Sequence, residues 1–131
     1  MNEFDQFVKR DLRMKSYVRY ADDFVFMSDD RYELLHCLST VAAFLSGLLV
    51  LNLHPGKVCI KSLASGVDFL GWVHFSHHKV PRTKTRQRMY KRICHSSNRQ
   101  AITSYLGLLS HGDAYQLSRE VENLGWLLLS E

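Results

Sequence analysis

Tyr20-Ala21-Asp22-Asp23 places two adjacent carboxylates between two apolar, β-favouring runs, Tyr17-Val18 and Phe24-Val25-Phe26-Met27. In a flat strand neighbouring side chains leave on opposite faces, whereas at a tight turn that alternation breaks down and both can project from the tip. Two carboxylates held so close repel each other unless a cation joins them. Mg²⁺ takes oxygen ligands and uses one or two protein carboxylates together with substrate phosphates. A pair of such ions about 4 Å apart holds the attacking and leaving oxygens of a phosphoryl transfer. Two aspartates are equally the content of an ordinary polar turn, where the residue is common.

The elements that must position these acids follow from pattern. Residues 16–28 read as a β-hairpin folded about the Ala-Asp-Asp turn. Before them, Phe4, Phe7, Val8 and Leu12 recur at spacings of three and four, which predicts a helix over residues 2–15. After them, Asp29 and Asp30 offer capping oxygens to a helix over residues 32–49. Its apolar face is Leu34, Leu35, Leu38, Val41, Ala42, Leu45 and Leu48 or Leu49, with Gly47 near its end. Residues 51–63 (LNLHPGKVCIKSL) predict a strand, a Pro-Gly turn and a second strand. Residues 67–75 (VDFLGWVHF) form another β-favouring segment, with Gly71 marking a bulge or a close backbone approach. Helical stretches follow over 86–94, 99–109 and 113–129. The expected class is α+β: an α/β portion over residues 1–78, then a basic helical portion over 79–131.

A chain of 131 residues with 46% hydrophobic and 23% charged residues fits one ordinary domain that buries a core. No apolar run reaches the roughly 18 residues of a membrane span, the longest being broken by Ser46, Gly47 and Asn52. The mixed acids and bases of residues 1–13 do not form a signal peptide. Three dispersed cysteines (Cys37, Cys59, Cys94) make no disulfide framework and point to a reducing cytoplasm. His74, His77, His78, Cys94 and His95 lack the spacing of a structural zinc site.

Charge is placed unevenly. Residues 1–68 hold eight Lys/Arg against nine Asp/Glu, whereas residues 79–99 hold eight Lys/Arg (Lys79, Arg82, Lys84, Arg86, Arg88, Lys91, Arg92, Arg99) and no acid. Such a block attracts a polyanion, of which a nucleic-acid backbone is the usual one, or else forms a solvated basic helix without a partner.

In its flanking context the YADD turn resembles the catalytic hairpin of reverse transcriptases, and the resemblance continues in order along the chain. LNLHPGK (residues 51–57) resembles the next motif of that family, GVDFLGW (66–72) the primer-grip hairpin, and SYLGLLSH (104–111) the thumb of prokaryotic enzymes of the group II intron and diversity-generating retroelement kinds. NEFDQFVKRDL resembles the helix preceding the YADD strand in bacterial members.

The resemblance implies roles residue by residue. Asp22 would be the principal Mg²⁺ ligand and Asp23 its supporting neighbour, with Tyr20 and Ala21 beside the primer terminus and the template–primer duplex. Lys57 would lie near the phosphates of the incoming deoxynucleoside triphosphate, as a proton donor to pyrophosphate. Leu70, Gly71 and Trp72 would hold the primer end, although Leu and Trp in an apolar strand are equally core residues. Lys79, Arg82, Lys84, Arg86, Arg88, Lys91 and Arg92 would track the backbone of an RNA template and DNA primer. The family also needs an upstream metal-binding aspartate, a fingers segment and a glycine-containing motif, none of which these residues match. The expectation is therefore the end of a palm plus a thumb, inactive as an isolated chain. Two alternatives remain open: a maturase-like RNA-binding module without catalysis, and one half of a split polymerase completed by a separate fingers–palm polypeptide.

Overall fold

The computed structural model describes residues 2–96 and 99–129. These form five α-helices and two small antiparallel sheets, an α+β fold, in two compact units, Met1–Ile60 and Lys61–Glu131. Among the described residues no helix is long and apolar enough to cross a membrane.

In the first unit, α1 (Asn2–Arg10) is followed by β1 (Ser16–Tyr20), β2 (Asp23–Met27) and α2 (Arg31–Leu48). The helix expected over residues 2–15 stops at Arg10. The Asp11 and Leu12 amides both close on the Phe7 carbonyl, and Arg13 turns the chain with φ 53°. α1 buries Phe4 and Val8 completely, one turn apart. Strand alternation directs Tyr17, Phe24 and Phe26 to the same core, with Tyr17 paired to Phe26 and Arg19 to Phe24. The Phe4 ring lies 5.1 Å from Phe24 and 6.1 Å from Tyr17, while Phe7 stacks on Phe44 at 3.9 Å.

α2 begins where Asp30 predicts, its carboxylate accepting the Tyr32 amide at 2.8 Å. The buried stripe is narrower than the expected face: Cys37, Val41 and Leu45 are buried, whereas Leu35 and Leu48 are exposed. The strand–turn–strand expected over residues 51–63 does not form. Among the described residues β1 and β2 pair only with each other, and the segment closes locally into a 3₁₀ turn at Pro55–Lys57. There the Lys57 amide donates to the His54 carbonyl, and His54 Nδ1 accepts from the Gly56 amide at 3.2 Å.

The second unit opens with a 3₁₀ turn at Leu63–Ser65 and a three-stranded sheet, β3 (Val67–Phe69), β4 (Trp72–His74) and β5 (Lys79–Pro81), in that order. The helices α3 (Thr83–Ser96), α4 (Arg99–Leu109) and α5 (Tyr115–Leu129) follow. Met89 and Ile93 of α3, Ile102 and Leu109 of α4, and Leu117 and Val121 of α5 make one buried cluster with Ala114. Gly125 lets α5 approach α4, since a Cβ there would sit 3.2 Å from Ile102.

Composition changes after residue 78, but the compact units divide between Ile60 and Lys61. The sheet is tied into the helical unit by its backbone. The Gly71 carbonyl accepts from the Arg82 amide and the Thr85 hydroxyl, and the Lys79 carbonyl accepts from the Asp113 amide at 2.8 Å.

Candidate functional site

Tyr20 pairs with Asp23, so the β1–β2 connection is the two-residue loop Ala21-Asp22. Ala21 takes φ 51°, a left-handed conformation that an alanine adopts against its steric preference. Gly71 is no bulge. It is the second residue of the Leu70-Gly71 loop joining β3 to β4, where both residues have positive φ (53° and 84°). Two left-handed residues in a two-residue loop define the primed turn that normally selects Asn-Gly, and here an exposed leucine fills the first place.

Asp22 and Asp23 are exposed, and no side chain among the described residues bonds to either carboxylate. Tyr20 lies beside them, 66% exposed. What holds the turn is Arg19, whose guanidinium donates to the Ala21 carbonyl at 2.8 Å and forks onto the Asp5 carboxylate of α1. The Tyr17 hydroxyl donates to the same carboxylate at 2.8 Å. Hydrogen bonding to Arg19, against a partial desolvation penalty, lowers the Asp5 pKa from 3.8 to about 2. Burial, reinforced by the Asp5 carboxylate, pushes the Tyr17 hydroxyl up. Neither Asp5 nor Arg19 was assigned a role from sequence. The available signal was alternation: Tyr17 and Arg19 share the core-facing side of β1, and a charge there requires a partner.

A carboxyl group whose folded pKa lies below its unfolded value stabilises the fold above the unfolded value, and that contribution disappears as pH falls through the folded one. The Asp5 contribution is therefore present above pH 4 and lost towards pH 2. Denaturant titrations between pH 5 and pH 2 are expected to show a shallower acid decline for Asp5→Asn than for the parent chain. Equal declines would mean that the Arg19 pair adds nothing to folding.

Lys57 is exposed on the 3₁₀ turn of the same unit as the two aspartates. Leu70, Gly71, Trp72 and the basic block belong to the second unit. Trp72 is half-buried over Gly112, with the Lys79 ammonium 5.1 Å from its ring centre. Arg82 pairs with Asp68 across 2.8 Å. Lys79 and Arg82 are thus engaged locally, and Arg86 lies against Tyr90, whose hydroxyl donates to Glu120. By contrast, Lys84, Arg88 and Lys91 fall at helical spacing on one exposed side of α3, opposite buried Met89 and Ile93; Arg92 is exposed beside them and has an interaction of its own. His95 continues this stripe.

His74, His77 and His78 line an open cleft of about 460 Å³ with His111 and Asp113, while Cys94 and His95 are exposed on α3. Among the described residues no group of three or more His, Cys, Asp or Glu is arranged to hold a metal ion. Compared with protein-family models and with curated proteins, the chain matches none.

Proposed function

We propose that the chain is the palm-end and thumb portion of a cytoplasmic RNA-directed DNA polymerase, contributing two carboxylates and a duplex-binding face to two-metal nucleotidyl transfer. The observation that carries the proposal is the YADD turn. Its two aspartates have no side-chain partner among the described residues; Asp22 stands in the two-residue loop of a braced hairpin, directly after an alanine in a left-handed conformation, and Asp23 opens β2. Local rule-breaking of this kind is characteristic of functional turns.

The donor set suits Mg²⁺, being two exposed carboxylates with oxygen ligands only, and Asp22 and Asp23 are the residues that would hold it. When bound, the ion supplies charge neutralisation at the reacting phosphate. Lys57 offers a proton to departing pyrophosphate. Leu70 and Gly71, at the tip of the second hairpin, meet the primer end through backbone and apolar surface. The exposed stripe of α3 takes the phosphates of template and primer without reading their sequence.

The test combines the chain with a polypeptide carrying a fingers region and an aspartate-bearing palm strand, and follows extension of a DNA primer on an RNA template. No extension is expected from the chain alone. Mg²⁺-dependent extension is expected on complementation, abolished by Asp22→Ala. Duplex binding with no extension in any combination would favour the maturase-like RNA-binding module, which the α3 stripe also supports.

A further inference from the structure

Arg19 occupies an unusual place in the hairpin. Its Nε donates to Asp5 Oδ1 at 2.8 Å, one terminal nitrogen donates to Asp5 Oδ2, and the other donates to the Ala21 carbonyl at 2.8 Å. Asp5 also accepts the Tyr17 hydroxyl. The carboxylate sits between Phe4 and Val8 in sequence on a helix whose two core residues are fully buried, so it is anchored to the packed interior. The Ala21 carbonyl belongs to the peptide unit whose nitrogen is that of Asp22. Peptide planarity means that fixing this carbonyl fixes the plane from which the Asp22 Cα departs.

Building on the nucleotidyl-transfer proposal, we infer that Arg19, oriented by Asp5, is a positioning residue for the Asp22 carboxylate. The planar fork suits the task. Two of its nitrogens are spent on the Asp5 carboxylate and the third reaches the turn, a division that the point charge of a lysine does not reproduce. The guanidinium also offsets the unfavourable left-handed conformation of Ala21, the residue that precedes Asp22 in the loop.

The experiment uses the chain itself, with Mn²⁺ as the probe and paramagnetic broadening of backbone amide signals as the readout. In the parent chain, broadening is expected to centre on Asp22 and Asp23. Arg19→Lys is expected to weaken the apparent Mn²⁺ affinity about tenfold, the scale on which residues supporting metal ligands act. A second variant, Asp5→Arg combined with Arg19→Asp, re-forms the ion pair but leaves no guanidinium on β1 to reach Ala21. It is expected to recover thermal stability without recovering Mn²⁺ affinity, and it keeps the test sound should Arg19→Lys fold poorly. Recovery of both would show a structural pair only and overturn the inference. So would unchanged affinity in Arg19→Lys. A parent chain that shows no broadening at Asp22 and Asp23 overturns the two-carboxylate proposal, and the positioning role with it.

Discussion

Replacing Gly112 by alanine is expected to destabilise the second unit by about 2–3 kcal/mol, the upper part of the range for overpacking a well-filled site. A Cβ at this position would lie 2.1 Å from Cζ3 and 2.7 Å from Cη2 of Trp72, and 3.0 Å from the Lys79 carbonyl. None of these neighbours yields easily. The indole is a rigid ring on a paired strand with the Lys79 ammonium over it, and the Lys79 carbonyl accepts the Asp113 amide. The ring must therefore be displaced, and β4 or the loop before α5 with it. Urea unfolding monitored by tryptophan fluorescence, in a Trp126→Phe background so that only Trp72 reports, measures both effects. Trp126 is 79% exposed, so its removal disturbs little. An unchanged midpoint and emission maximum would show that the ring turns aside without loss.

Removing Lys84, Arg88 and Lys91 together is expected to weaken binding of an RNA–DNA duplex by about 10²-fold or more near 0.1 M salt. Each phosphate that is no longer neutralised also takes about 0.9 from the slope of log K against log salt, so the triple alanine variant lowers that slope by about 3. The comparison that gives the number meaning is Lys79→Ala with Arg82→Ala. Those two charges are already engaged by Trp72 and Asp68, so their removal is expected to change the slope by less. Fluorescence anisotropy with a labelled duplex, across a KCl range of roughly 50 to 200 mM, supplies both slopes. Equal slopes for the parent and the triple variant would place the duplex elsewhere.

Patterns confined to a few neighbouring residues were legible in the sequence. The hairpin over residues 16–28, whose Ala-Asp-Asp turn the structure shortens to Ala21-Asp22, the Asp30 cap of α2 and the helix Arg99–Leu109 each follow from local propensity and side-chain chemistry. Features that depend on a distant partner were not. Residues 51–63 carry strand composition, yet a strand exists only where a ladder partner is offered, and here His54 caps a 3₁₀ turn instead. The Arg19–Asp5 fork joins residues fourteen apart on a strand and a helix. The basic block read as uniform along the chain, whereas the fold divides it into charges spent on Trp72, Asp68 and the Tyr90 neighbourhood and charges facing outward. For the candidate site, the sequence singled out the acids as candidates but not the Arg19–Asp5 brace behind them.

The stripe on α3 has a thermodynamic consequence. Lys84 and Arg88, and again Arg88 and Arg92, stand four residues apart with like charge, an arrangement that opposes helix formation by about 0.2–0.5 kcal/mol per pair. The first turn of α3 also holds no acid to favour the positive end of the helix dipole. A polyanion laid along this side replaces repulsion with attraction, so binding and helix order are linked functions of one equilibrium. Occupancy by ligand then raises the melting temperature of the helix by mass action, and weaker helical order in the free chain lowers its apparent affinity by the same free energy.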